Sequence, residues 1–279
     1  MSHTFPFADL ALAQRLERAE ALANARFVEA RARVEPSSGA CWIEVAGARA
    51  MFDGPASPAT QTFALGIAQL PSSAELDRIE AFFTQRGAPV YHEVSPLADE
   101  KLVSMLAARG YRPIEFTSVL YRPIPPPPAT DTSGLRRDRL RNDPAVTVRL
   151  AGAADAEIFA RTSAAGWSHA GMEEFILGMA RVNAASEGAS LFLAELDGAP
   201  IATAALSVAG GVAHLAGAST IPAARGRGAQ FALLDRRLRH AAAQGCDIAL
   251  MGALPGSGSQ RNAERNGFRI AYTRIKWGR

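Results

Sequence analysis

The sequence predicts an α/β fold with two domains, each a mixed twisted sheet flanked by helices. Three observations lead to this prediction. Strand-like and helix-like stretches alternate in both halves of the chain, a proline-rich stretch separates the halves, and glycines recur at similar spacing in each half. Alternation of strands and helices is typical of sheets with helical crossovers. A chain of 279 residues has room for one large domain or two small ones.

Composition is that of an ordinary globular protein, with 48% hydrophobic and 20% charged residues. The sequence has no apolar stretch of about 18 residues, the length that a membrane span requires. The N-terminus lacks the basic start and apolar block of a secretory signal. Cys41 and Cys246 lie far apart and match no metal-binding spacing. We therefore expect a cytoplasmic protein without a metal site or a membrane partner.

A proline-rich stretch separates the two predicted domains. Residues 122–145 include four consecutive prolines, which neither a helix nor a central strand accommodates. The polar residues that follow have little apolar surface to bury. We predict a first domain over residues 1–122, a linker over 123–145 and a second domain over 146–279.

The second half reads as a series of strands and helices. Asp155 is the candidate N-cap of the first helix, and Gly245 is a good C-cap for a later one. The turns Leu-Asp-Gly and Ala-Gly-Gly separate three consecutive strands. The predicted order is strand 145–151, helices 155–167 and 172–184, three strands over 190–220, helix 229–245, strand 246–254, a short helix over 259–268 and a final strand 269–277.

The first half repeats the end of this plan. Gly87 and Gly110 are 23 residues apart, and Gly245 and Gly267 are 22 residues apart, with a strand and a helix predicted in each interval. Gly66 and Gly87 are 21 residues apart, whereas Gly217 and Gly245 are 28 residues apart. The seven missing residues correspond to Ala-Arg-Gly-Arg-Gly-Ala-Gln. We predict a duplicated domain whose first copy is degenerate and lacks this glycine loop.

The glycine loop, residues 225–230, joins a strand to a helix. Such a turn presents N–H groups and the positive end of the helix dipole to a phosphate, and glycine permits the positive φ angles that the turn needs. A Walker loop is excluded because no lysine followed by serine or threonine is present. A dinucleotide fingerprint is excluded because Phe231 stands where a third glycine is required.

The loop and the elements around it resemble the GNAT superfamily of N-acetyltransferases. Arg225, Gly226, Arg227, Gly228 and Ala229 match the first five positions of that family's acetyl-CoA motif. Gln230 departs from the small sixth residue of the motif. The resemblance covers residues 146–279, and it implies that N–H groups of residues 225–230 hold the pyrophosphate of acetyl-CoA, the cosubstrate.

The same resemblance implies further contacts to acetyl-CoA. Backbone groups of Ala218, Ser219 and Thr220 would pair with the pantetheine arm as an added strand would. The thioester would lie in the splay between that strand and the strand that begins at Cys246. Asn262, in the last short helix, is a further candidate contact to the cosubstrate.

The resemblance implies an enzyme that moves an acetyl group to a primary amine of a small molecule, amino acid or peptide by direct attack. Many members use a tyrosine of the last short helix as proton donor, but Ala263 stands there, so Tyr272 on the final strand is the candidate. His214 is the candidate base, because an imidazole pKa near ~6.5 suits proton transfer at neutral pH. A packed or surface strand histidine is the alternative interpretation.

The loop between the two helices that open the second domain is a candidate acceptor site. Trp167, His169 and Glu173 lie in it or directly after it, and in the family this loop lines the acceptor pocket. The alternatives are a core aromatic for Trp167 and a charge complementing the helix dipole for Glu173.

Basic residues are concentrated near the C-terminus, where residues 225–279 hold eleven Arg or Lys and three Asp or Glu. This balance favours an anionic partner, but no nucleic-acid-binding module is recognisable, so no nucleic acid is expected. We expect Arg236, Arg237, Arg239 and Arg274 to lie on a solvated face, and the alternative for some of them is contact with the adenosine 3′-phosphate of acetyl-CoA. A second functional hypothesis is an inactive CoA-binding sensor or assembly module, favoured by Ala263 and Gln230. We expect a monomer or a homodimer.

Overall fold

The computed structural model describes residues 4–126 and 145–279, so most of the predicted linker lies outside the described residues. The chain forms two compact units. The first consists of Met1–Pro123 together with Leu250–Arg279, and the second is Ile124–Ala249. The boundary at Pro123 coincides with the start of the predicted linker. The final segment, however, clusters with the first half of the chain and not with the second.

The helices and strands follow the predicted order, preceded by a long helix and two strands that were not predicted. The first half contains α1 (Leu10–Val34), β1 (Cys41–Val45), β2 (Ala48–Phe52), β3 (Gln61–Phe63), α2 (Ser73–Thr84), β4 (Tyr91–Val94), α3 (Glu100–Ala108) and β5 (Arg112–Pro123). The second half contains β6 (Val146–Leu150), α4 (Ala156–Ala165), α5 (Glu173–Ala184), β7 (Ala189–Leu196), β8 (Ala199–Ala209), β9 (Val212–Thr220), α6 (Ala229–Ala243), β10 (Ile248–Ala253), α7 (Gly258–Arg265) and β11 (Arg269–Gly278).

The sheet of the first unit includes the last strand of the chain. Its strand order is β1-β2-β3-β4-β11-β5, with β3 and β4 parallel and the other described pairs antiparallel. Trp277 of β11 pairs with His92 of β4 on one side and with Pro113 of β5 on the other. The last strand therefore inserts between two strands of the first half, which explains why Leu250–Arg279 clusters there.

Helix α1 is fastened to this sheet by a buried ionic cluster. Arg274 of β11 lies 2.8 Å from Glu20, 3.2 Å from Glu17 and 2.9 Å from Glu93, and its side chain is 3% exposed. The Tyr272 hydroxyl donates to Glu17 Oε1 at 2.9 Å. The prediction that Arg274 belongs to a solvated face is therefore wrong: three carboxylates from two other elements compensate its charge, and the sequence around Arg274 shows none of them.

The second unit is built on the antiparallel meander β9-β8-β7-β6. Phe159 of α4 and Ala180 of α5 form one apolar cluster with Leu191, Leu193 and Ala205. Phe192 contacts His240 of α6 with ring centroids 5.4 Å apart. Because successive side chains of a strand point to opposite faces, α4 and α5 cover one face of the meander and α6 covers the other.

Asp155 acts differently from the predicted N-cap of α4. It stands at the N-cap position but makes no capping bond to that helix. Its carboxylate accepts instead from Gly152 N at 2.8 Å and from both terminal nitrogens of Arg149. None of the helices among the described residues is both long enough and apolar enough to cross a membrane.

Candidate functional site

A β-bulge interrupts the pairing of β8 and β9. Thr203 pairs with Ser219 and Ala205 with Ala216, so one residue of β8 faces two residues of β9, Gly217 and Ala218. Gly217 has a φ of +59°, which is the left-handed conformation typical of a glycine in such a bulge. Residues 216–218 are exposed although they belong to a paired strand. The bulge therefore leaves Gly217 and Ala218 outside the regular pairing of β9 with β8, just before β9 ends.

The glycine loop turns the chain from the end of β9 into α6. Gly226 and Gly228 have φ angles of +81° and +80°, a region that side chains other than glycine rarely adopt. Gly228 is the N-cap of α6, with no side-chain capping bond and no acidic residue in the first turn. The first helical bond runs from Ala232 N to Gly228 O at 3.0 Å. The N–H groups of residues 229–231 therefore have no acceptor within the helix, the arrangement that favours an anion.

Two side chains of the loop brace it against its surroundings. Gln230 donates from Nε2 to Ser219 O at 2.9 Å and to Thr220 Oγ1 at 2.8 Å. Arg225 donates to the carbonyl of Gly166, after α4, at 3.0 Å. The departure of Gln230 from the family motif thus has a structural account: its side chain holds the start of α6 to the end of β9. Ala229 is buried and Arg227 is exposed.

His214 lies on β9, opposite Ser207 of β8, and is partly buried. Directly paired residues share a face of the sheet, and Ser207 is two positions from Ala205, which packs with α4 and α5. His214 therefore lies on the face that α4 and α5 cover. The buried Ser219 hydroxyl donates to Ser163 O of α4 at 2.9 Å, and the Ser219 carbonyl accepts from Gln230, so both groups are already bonded within the chain.

The connection between α4 and α5 carries exposed apolar side chains. Trp167 is 38% exposed, Met172 39% and Phe175 42%, which excludes the alternative that Trp167 is a core aromatic. Glu173 is exposed in the first turn of α5. His169 lies in a short 3-10 turn of this connection. The sequence indicated this segment as a candidate acceptor site through Trp167, His169 and Glu173. No pattern in the sequence distinguishes Met172 and Phe175 as exposed apolar residues.

Asn262 and Tyr272 belong to the first compact unit. Asn262 is exposed on α7, and its backbone carbonyl accepts from the Asn266 side chain at 2.7 Å. Tyr272 is 7% exposed, and burial, together with the charge of Glu17, raises the pKa of its hydroxyl far above its ordinary range. The hydrogen bond to Glu17 explains the position of Tyr272 in the buried cluster, and this explanation requires no role in proton transfer.

The prediction that Arg237 lies on a solvated face of α6 is wrong. Its side chain is 3% exposed, and it donates from Nη1 to the Ala205 carbonyl at 3.1 Å and from Nε to Leu233 O at 3.4 Å. Leu233, Arg237 and Ala241 recur every four residues and are all buried. This helical spacing could have revealed Arg237 as an inward-facing residue. Arg236 and Arg239 are exposed, as predicted.

Asn183 of α5 is a further residue that sequence analysis missed. Its amide nitrogen Nδ2 lies 3.5 Å from the position that a Cβ at Gly217 would occupy. No spacing or motif in the sequence distinguishes this asparagine from other polar helix residues. Only the packing of α5 against the bulge brings it to the exposed segment of β9.

Part of the chain matches a known protein family, and its fold matches solved structures. Residues 132–256 match the family model of the acetyltransferase (GNAT) domain. A GCN5-related N-acetyltransferase from Kribbella flavida has a TM-score of 0.57 at 19% identity, and the match covers 91% of this chain and 94% of that one. No curated protein matches the chain.

Two further solved structures have a similar fold. A GCN5-related N-acetyltransferase from Sphaerobacter thermophilus has a TM-score of 0.52 at 16% identity, covering 78% of this chain and 71% of that one. A tandem GNAT protein from the clavulanic acid biosynthesis pathway has a TM-score of 0.53 at 14% identity, covering 83% and 78%. The predicted resemblance is confirmed, whereas the degenerate first copy stays a prediction. Residues 132–256 therefore resemble a GNAT acetyltransferase domain, and over 91% of its length the chain has a fold similar to that of a solved GNAT N-acetyltransferase.

Proposed function

We propose that the chain is an acetyl-CoA-dependent N-acetyltransferase that acts on a primary amine of a small molecule, amino acid or peptide. One observation carries the proposal. Within the segment that matches the GNAT family model, two glycines in the left-handed region lead from the end of β9 into a helix start without a capping side chain. Backbone N–H groups at such a helix start favour a phosphate group.

The proposal assigns residues of the second unit to successive parts of acetyl-CoA. The pyrophosphate is assigned to the N–H groups of the loop 225–230, of which that of Arg225 also donates to Pro222 O, and Arg225 and Arg227 add positive charge. We assign the pantetheine arm to residues 218–220, at the end of β9, where Ala218 lies in the bulge while Ser219 and Thr220 pair with Thr203 and Ala202 of β8. We infer that Gln230 serves this site by fixing Ser219 and Thr220 in place.

Bound acetyl-CoA would supply an activated acetyl group. For transfer, the amine nitrogen forms a bond to the acetyl carbon while the carbon–sulfur bond breaks, so the chain must accept the proton of the amine. We assign this proton to His214, on the face covered by α4 and α5. We assign the binding of the acceptor to the α4–α5 connection, through Trp167, His169 and Glu173.

We also infer that acetyl-CoA binds once per chain. The first domain, residues 1–122, lacks the seven residues that contain the glycine loop, and the second domain, residues 146–279, contains them. Calorimetry with acetyl-CoA tests both inferences, and a stoichiometry of one per chain is expected. Absence of binding would contradict the proposed function, and a stoichiometry of two would contradict the assignment of a single site.

A thiol-release assay over a library of primary amines tests transfer. Appearance of CoA thiol that depends on both amine and acetyl-CoA is expected for at least one class of acceptor. Tight binding of acetyl-CoA without turnover for any amine would favour the inactive CoA-binding module instead.

The role of His214 has its own test. His214→Ala is expected to lower kcat at neutral pH by about a hundredfold, since general-base catalysis contributes at least that much. The acidic limb of the pH–rate profile, which protonation of the base produces, is expected to disappear. Acetyl-CoA affinity serves as the control and should remain unchanged. A variant that keeps the acidic limb would exclude His214 as the base.

A further inference from the structure

Arg237 is buried on α6 with its charge uncompensated. Its side chain is 3% exposed, and within the described ranges 4–126 and 145–279 no carboxylate forms an ion pair with it. Burial lowers its pKa to about 10, so the guanidinium keeps its proton at neutral pH. A buried charge of this kind is costly unless it serves another group.

Beyond its own helix, Arg237 forms a hydrogen bond to the strand that borders the bulge. Its Nη1 donates to the Ala205 carbonyl at 3.1 Å, and Ala205 is the residue of β8 at which regular pairing with β9 resumes. The Cβ of Ala205 lies 3.6 Å from the position that a Cβ at Gly217 would occupy. The guanidinium is therefore held, from the α6 side, at the residue of β8 that borders the bulge.

We propose that Arg237 is a positioning residue that holds β8 beside the bulge and places a positive charge near residues 216–218, where it favours the anionic form of the CoA sulfur. This inference rests on the proposed function. The charge does not contact the ligand; it acts through the sheet, and a charge in a poorly solvated interior acts more strongly than one in water. In the transfer reaction, the sulfur accepts the electron pair of the broken carbon–sulfur bond, so a field that stabilises thiolate assists that step.

Three variants separate the charge from the hydrogen bond. Arg237→Gln keeps an N–H donor for Ala205 but removes the charge, and Arg237→Met removes both. Arg236→Gln is the matched control, because Arg236 is the adjacent residue of the same helix, carries the same charge and is exposed.

The measurement is the titration of CoA bound to each protein, followed by the ultraviolet absorbance of the thiolate, with CoA-free protein subtracted. In the wild type and in Arg236→Gln, the bound thiol is expected to titrate about one pH unit below its position in Arg237→Gln and Arg237→Met, a tenfold difference in the thiolate equilibrium. Amide hydrogen exchange at residues 217 and 218 is expected to accelerate in Arg237→Met only.

Each outcome decides between the proposals. Failure of the wild type to bind CoA, which calorimetry detects before any titration, contradicts the proposed function and this inference with it. Binding with the same thiol titration in the wild type and in Arg237→Gln overturns this inference alone. If Arg237→Gln does not fold, Arg237→Met carries the same comparison, since an unbranched apolar side chain is commonly tolerated in place of a buried charge.

Discussion

Gly226→Val is expected to lower the affinity for acetyl-CoA by about tenfold or more. Gly226 has a φ of +81°, and a β-branched residue in this region is a conformational outlier whose strain is about 1–3 kcal/mol. The loop would relax toward negative φ and move its N–H groups away from a common phosphate. A loss of about 1.4 kcal/mol in binding free energy corresponds to the tenfold change, and calorimetry measures it directly.

Gly245→Val provides the matched control. Gly245 follows α6 at the opposite end from the glycine loop, has a φ of +78°, and a Cβ there would meet nothing within 4 Å, as at Gly226. Both variants are expected to lose similar stability, because both force a side chain into the left-handed region. Only Gly226→Val should lose acetyl-CoA affinity. Equal affinities in the two variants would place the pyrophosphate elsewhere.

Stability of the first unit is expected to fall below pH 6.5 because of His92. This imidazole is fully buried, neither ring nitrogen has a hydrogen-bond partner among the described residues, and burial, with the charges of Arg279 and Arg109, lowers its pKa to about 3. Above pH 6.5 the imidazole is neutral in both states, so this group does not favour unfolding. Below pH 6.5 the imidazole binds a proton in the unfolded state, whereas in the folded state it stays neutral down to about pH 3. Stability therefore falls as pH falls.

The expected loss is about 1.4 kcal/mol per pH unit in this window. His92→Phe removes the group while keeping a ring next to Tyr111, whose centroid lies 4.8 Å from that of His92. Urea unfolding at pH 7.5 and pH 5.0 should show that the wild type loses about 2 kcal/mol more than His92→Phe over this interval. Parallel pH profiles of the two proteins would contradict a neutral buried imidazole.

The order of elements in the second half follows from local patterns of the sequence. Turn residues such as Asp197-Gly198 and Gly210-Gly211 separate β7, β8 and β9, and each adopts the positive φ that its turn requires. The glycine loop is equally local, because a strand, two glycines and a helix start lie within one short stretch. These features depend on neighbours in the chain, so the sequence predicts them.

The β-bulge had a weaker signal in the sequence. An isolated glycine inside a strand, such as Gly217, indicates a bulge or a close backbone approach. The sequence does not show which residue of the partner strand faces it. The register of β8 and β9 decides that Ala205 is the residue of β8 next to the bulge. The carbonyl that Arg237 binds is that of Ala205.

The α/β class, the order of elements in the second half and the glycine loop between β9 and α6 follow from the sequence, since all three depend on periodicity and on short-range backbone conformation. Tertiary structure alone decided that β11 inserts between β4 and β5, that Arg274 meets three carboxylates, and that Arg237 is buried without one. Strand neighbours and charge partners come from residues distant in the chain. No local pattern encodes which of the available partners a strand or a charged side chain takes, because the choice depends on the packing free energy of the whole unit.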